Sequence, residues 1–398
     1  MQTRTNNATK PHLLTPSLSP TPTSVRFMRH FAQELVDDVI DSWALTDRDG
    51  ADAMKVCGLV CKRWLPRSRF HLFSRVTLDA DNLASFIEII DCNSLPMLSF
   101  IQQLKLRFVG RPLDRALLDR IHGCPNLTGI EIWISEMSRN LEDNTQFYGT
   151  LQTHLPLLAS NATSLSRFDF RLPSHPLVGI PAGAIIDIIG CIPSVECVTV
   201  HGSYSYIIPD PEFARRGAAP HLRPLQMHTL EIRTYQGVQL LTSSLLSQHV
   251  LPNLRSLTLR AGLDPIEEFI RRVGAQVESL TLSFLEAPRA VPTIGRFVTY
   301  TTKLRDLQVF LLEPSPILNI LSVLPLYNWD TISFVLINED RRTVIHWGGI
   351  DHALTDARFC SLRRFILKRI VDVDDPTPEF IPETKVFMPL ANKRGILE

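Results

Sequence analysis

The chain has 398 residues, of which 44% are hydrophobic, and its 41 basic and 41 acidic side chains leave no formal net charge. That length suits two or three domains, or one small module plus a repeat array. The balanced charge gives no field to steer a polyanion or a membrane surface, which argues against nucleic acid and lipid as partners.

No apolar run approaches the eighteen or so residues of a membrane helix, the N-terminus lacks a signal-peptide core, and seven scattered cysteines fit a reducing compartment. The expectation is a soluble cytoplasmic or nuclear protein. Residues 1–26 are rich in Ser, Thr, Asn and Pro with few large apolar groups. They cannot bury enough surface to offset the entropy of ordering, and a disordered tail is predicted.

Residues 27–78 predict a small module of three short helices. Leu35, Val39 and Trp43 fall four apart with Val36 and Ile40 beside them, which gives a helix with one broad apolar stripe; Asp37, Asp38 and Asp41 would face water. Met54, Val56, Leu59 and Val60 repeat the helical spacing, and Pro66 can open a third helix through Phe70, Leu72 and Phe73. Arg75 to Leu78 then alternates like a strand.

A trio of about 45 residues is near the size below which a core rarely stabilises itself, so its stripes need outside cover. Glu34, Leu35, Val36, Val39 and Ile40, followed by Leu59, Val60, Cys61, Lys62 and Trp64, resemble the F-box, the adaptor-binding module of Skp/cullin/F-box ubiquitin ligases. Phe31 and Ala32 stand where that family typically carries Leu-Pro. The resemblance implies a Skp-type adaptor, and through it a cullin, as partners, with Leu35, Val39, Ile40, Leu59, Val60 and Trp64 as adaptor-binding residues.

Over residues 79–370 a loose unit recurs: apolar, two spacers, apolar, one spacer, apolar. Examples are Leu127, Ile130, Ile132; Leu165, Phe168, Phe170; Leu254, Leu257, Leu259; and Leu304, Leu307, Val309. The last apolar positions fall at Leu106, Ile132, Phe170, Val200, Ile232, Leu259, Leu282, Val309 and Leu367, with a partial copy near Ile332 to Leu336.

Helical spacing separates these strands at Leu117, Leu118, Ile121; Ile185, Ile186, Ile189; Leu240, Leu241, Leu245, Leu246; Ile266, Phe269, Ile270, Val273; and Ile317, Leu318, Leu321, Leu324. Each unit alone leaves an apolar strand face uncovered, so neighbours must stack. The pattern resembles leucine-rich repeats, without that family's Asn or Cys three residues beyond the last strand leucine. The expected fold is therefore α/β: an F-box-like helical module followed by an irregular repeat solenoid whose strands form a curved parallel sheet. Residues 371–398, with Asp372, Asp374 and Asp375 and several prolines, read as a C-terminal cap or tail.

Residues between the apolar strand positions point to the opposite face, which in such repeats lines the concave surface. Trp133, Arg171, His201, Arg233, Tyr235, Arg260 and Phe310 are the substrate-binding candidates there, because aromatic and arginine side chains dominate protein-binding hot spots. Cys57 and Cys61 lack the second ligand pair a zinc site needs, and His122 with Cys124, or His346, lacks an assignable orienting partner. No phosphate loop, His-Glu-x-x-His helix or nucleophile elbow occurs. The reading is a non-enzymatic substrate-recognition subunit with no cofactor or metal, holding an unidentified protein substrate on its repeats. The alternative is an interaction scaffold whose trio only caps the arc.

Overall fold

The computed structural model describes residues 33–44, 50–60, 62–92, 97–109, 119–121, 123–136, 141–162, 164–173, 180–202, 207–210, 223–234, 237–260, 266–283, 287–337, 345–370, 379–380 and 384–397. The chain divides into two compact units, Met1–Leu72 and Phe73–Glu398. Strand β1, Arg75–Leu78, pairs with the next strand of the large sheet. The division therefore falls before this strand and not at the expected 78/79.

In the first unit, α1 (Gln33–Ala44), α2 (Gly50–Val60) and α3 (Leu65–Ser74) form the expected trio, with Pro66 in the first turn of α3 where its missing N–H costs nothing. Val36, Ile40, Met54 and Cys57 make its core, and Ala44, Trp64 and Leu72 pack against them. The stripe of α1 is narrower than its sequence suggests. Val36 and Ile40, four apart, turn inward, while Leu35 and Val39 stay exposed. Asp41 does not simply face water: it accepts hydrogen bonds from Arg67 Nε and Nη2 at 2.6 and 2.5 Å, and His71 Nε2 lies 2.7 Å from its Oδ1. These contacts clamp α1 to α3, and the Arg67 hydrogen bond, aided by His71, lowers the carboxyl pKa from 3.8 to about 2 against the opposing effect of burial.

The second unit is α/β. Its strands are β1, β2 (Gln103–Val109), β3 (Gly129–Glu136), β4 (Arg167–Arg171), β5 (Cys197–Gly202), β6 (Thr229–Thr234), β7 (Ser256–Arg260), β8 (Ser279–Ser283), β9 (Asp306–Leu311), β10 (Thr331–Leu336) and β11 (Arg364–Arg369), all parallel and in chain order. A short β12, Glu379–Phe380, closes the edge antiparallel to β11.

The register follows the sequence repeat. Leu106, Ile132, Phe170, Val200, Ile232, Leu259, Leu282, Val309, Phe334 and Leu367 are successive partners across the sheet. All ten are buried, because a one-residue slip would put every one of them on the wrong face.

Helices α4 (Leu83–Cys92), α5 (Leu141–Asn161), α6 (Ala182–Gly190), α7 (Val238–Gln248), α8 (Glu267–Val273), α9 (Ala287–Tyr300), α10 (Ile317–Val323) and α11 (Trp347–Ala353) supply apolar residues to the same continuous core. The expected helical segments appear in α6, α7, α8 and α10; Leu117 and Leu118 lie outside the described residues. Helix α5 runs 21 residues through Pro156, which has no N–H to give the Gln152 carbonyl four residues back. The Cys191 thiol donates to that carbonyl instead, at 3.6 Å.

The position three residues beyond the last strand leucine is nowhere an asparagine in the sequence. At the strand entries, however, Asn126 donates to the Ser99 carbonyl at 2.6 Å and Asn253 to Gln226 Oε1 at 2.7 Å, so each Pro-Asn turn ties back to the preceding unit. At the far end, Asp351 accepts the backbone N–H groups of Leu390 and Ala391, which anchors α13 (Pro389–Lys393) beyond α12 (Thr384–Phe387).

Candidate functional site

Alternation along each strand leaves three rows of side chains on the sheet face opposite the core. The upper row holds Arg107, Trp133, Arg171, His201 and Arg233 as successive partners on β2 to β6. The middle row holds Lys105, Glu131, Asp169, Thr199 and Glu231, continuing as Thr258, Thr281 and Gln308 on β7 to β9. The lower row begins Arg75, Gln103, Gly129, Arg167.

Four of the substrate-binding candidates, Trp133, Arg171, His201 and Arg233, thus fall together on adjacent strands. Arg260 and Phe310 lie further along, each paired with Ser283. Tyr235 lies outside the described residues. On β10, the neighbour of the strand that carries Phe310, all six residues are buried.

Trp133 is already occupied as a π surface. Lys105 Nζ lies 4.2 Å from its ring centre, and the guanidinium carbons of Arg107 and Arg171 lie 4.9 and 5.8 Å away. The indole therefore gathers three cations rather than offering a bare aromatic anchor. The carboxylates of the middle row restrain these cations from the side. Glu131 Oε1 sits 2.6 Å from Arg171 Nε and 3.2 Å from Lys105 Nζ, and neither contact has hydrogen-bond alignment. Arg167 donates through Nε to Asp169 Oδ2 at 2.8 Å, and Arg233 pairs with Glu231. Burial, reinforced by nearby Arg233, pushes the His201 pKa down.

Between the lower and middle rows is a depression of about 290 Å³ lined by Arg75, Thr77, Gln103, Lys105, Gly129, Glu131, Arg167, Asp169 and Arg171. Its floor exists because Gly129 puts no side chain between Gln103 and Arg167. Sequence reasoning missed Arg75, Gly129 and Arg167; counting two residues back from each middle-row position would have found them.

On the helical trio, Leu59 is 86% exposed, Leu35 52%, Val60 45% and Val39 43%. Val56, also 62% exposed, adds to this set. Ile40 is fully buried and belongs to the core of the trio, whereas Trp64 packs against that core and is half-buried.

Cys57 is a core residue, and Cys61 and His122 lie outside the described residues. Burial pushes the Cys124 thiol up to about 12, which leaves it protonated and unreactive. Among the described residues no group of three or more His, Cys, Asp or Glu is placed to hold a metal ion, and no helix is long and apolar enough to cross a membrane. The sequence matches no protein-family model and no curated protein.

Proposed function

We propose that the chain is the substrate-recognition subunit of a Skp/cullin/F-box-type ubiquitin ligase, an F-box-like trio joined to an irregular leucine-rich-repeat solenoid. The trio docks the adaptor through Leu35, Val39, Leu59 and Val60, and the open sheet face of the repeats holds a protein substrate. The chain supplies no chemistry of its own; it raises the effective concentration of substrate beside a ubiquitin-transferring enzyme.

The observation that carries this reading is the exposure of five aliphatic side chains on a module of three short helices. Large exposed aliphatics clustered on so few residues mark an interaction surface more often than a solvated one.

The test is co-purification of the full chain with a Skp-type adaptor, comparing wild type with the double substitution Leu59→Asp and Val60→Asp. Both residues are exposed, so the charges leave the trio's core intact, whereas Trp64→Ala would test folding as well as binding. The expected result is loss of the adaptor with the double variant. Undiminished association of that variant, or no association of the wild type, replaces this reading with the scaffold one.

A further inference from the structure

We propose that the depression over Gly129 seats an anionic side chain, a carboxylate or a phosphate, presented by an extended segment of the partner protein. This rests on the reading of the open sheet face as a partner-binding surface, and it specifies the chemistry recognised there.

The argument begins with charge. The lining contributes four cations, Arg75, Lys105, Arg167 and Arg171, against two carboxylates, Glu131 and Asp169, for a local net of +2. The whole chain is neutral, so this is a concentration of positive charge at one place. A basic ligand would meet that excess, while an acidic one is drawn to it.

The two carboxylates also spend themselves inside the protein. Arg167 uses Nε on Asp169 and Arg171 directs Nε at Glu131, which fixes both guanidinium groups without consuming their terminal nitrogens. Asp169 is only 8% exposed and its Oδ1 is out of reach of solvent, so it acts from beneath, as a brace for Arg167. Arg75, at the edge, is exposed and has no partner among the described residues. Guanidinium groups held in this way lose little entropy on closing around an oxyanion, and their planar forks match carboxylate and phosphate oxygens.

Size narrows the occupant further. A volume of about 290 Å³ lies at the bottom of the range for small-molecule sites and suits one side chain. Gly129 leaves room for it, since the nearest atoms to an added Cβ would be Arg167 Cβ at 3.7 Å and Gln103 Cγ at 3.8 Å. A longer side chain there would stand in the depression itself.

The experiment titrates the full chain at low ionic strength with inorganic phosphate, N-acetyl-phosphoserine amide, N-acetyl-glutamate amide and N-acetyl-arginine amide. Binding is read from the fluorescence of Trp133, isolated by subtracting the Trp133→Phe variant, because two of the cations on its ring, Lys105 and Arg171, also line the depression. A saturable response to the anionic probes is expected. It should weaken about tenfold in Arg75→Glu and vanish in Gly129→Leu, which fills the site without altering a charge. Stronger saturation by the phosphorylated probes assigns phosphate and equal saturation by the glutamate probe assigns carboxylate, both in support.

Saturation by the arginine probe, absence of any saturable response, or binding unchanged in both variants overturns the proposal. None of these readings touches the adaptor, so this inference can fail while the ligase reading stands.

Discussion

Asp41→Asn should loosen the helical trio measurably. The substitution replaces a carboxylate that joins α1 to α3 through two hydrogen bonds from Arg67 and one contact with His71. Taking the carboxyl pKa from 3.8 to about 2 corresponds to a ceiling of about 2.5 kcal/mol. The Asp41 side chain is 35% exposed and that of Arg67 36%, so solvent screening reduces the figure to about 1 kcal/mol.

In a module this small, 1 kcal/mol changes the open population about fivefold. Native-state hydrogen exchange on the full chain, followed on amides of α1 and α3 at pH 6, should show exchange about fivefold faster in the variant. The folded pKa lies below the unfolded one, so the stabilisation is fully present above pH 4 and is lost as pH falls from 4 toward 2. Wild type and variant should therefore converge near pH 2. Equal protection at pH 6, or a difference that persists undiminished at pH 2, would refute the clamp.

Two further predictions concern the second unit. Gly237 has φ of +82°, and a Cβ there would lie 2.3 Å from Ile207 Cβ. Gly237→Ala should therefore lower stability by about 2 kcal/mol or more, from left-handed strain plus overpacking; a thermal midpoint within a degree of wild type would contradict this. Asp351→Ala removes the acceptor for the N–H groups of Leu390 and Ala391. It should raise hydrogen exchange across residues 384–397 by about tenfold, matching one to two kcal/mol of lost capping, while β2 to β6 stay protected.

The sheet was legible because its signal is periodic and repeated. Nine apolar positions read from sequence meet across the strands, and the partial copy near Ile332 supplies the tenth through Phe334. Helices α5 and α9 were not read, although Phe147, Tyr148, Leu151, Leu155 and Leu158, and Val291, Ile294 and Val298, carry helical spacing. Each contains an interior proline, Pro156 and Pro292, which by local rules marks a break. For Pro156 the repair comes from Cys191, 39 positions from the freed carbonyl, where no local rule can see it.

The site was half legible for a related reason. Alternation named Trp133, Arg171, His201 and Arg233 strand by strand, but the partners that fix their state sit on neighbouring strands. Glu131 meets Arg171 across 40 positions of sequence, and the Lys105 ammonium covers Trp133 from 28 positions away. On the trio, a stripe of five apolar residues in α1 could not say which edge would turn inward. Only packing against Met54 and Cys57 sorts Val36 and Ile40 from Leu35 and Val39.

The middle row also separates what folding needs from what it tolerates. On β5, β7 and β8 that row is Thr199, Thr258 and Thr281, β-branched residues that suit a half-covered sheet face and leave no charge to satisfy. On β3, β4 and β6 the equivalent positions are Glu131, Asp169 and Glu231, and each has a buried carboxylate oxygen without a hydrogen bond. At Glu131 and Glu231 that oxygen faces a cation instead, Lys105 and Arg171 for the first and Arg233 for the second, so ion pairing replaces the aligned hydrogen bond. The acids persist beside Arg167, Arg171 and Arg233, whose guanidinium groups they hold in place. Acids therefore enter this row only on β3, β4 and β6, where cations are gathered, and the proposed anion site draws on that cluster, whereas β7 to β9 carry Thr258, Thr281 and Gln308 in the same row.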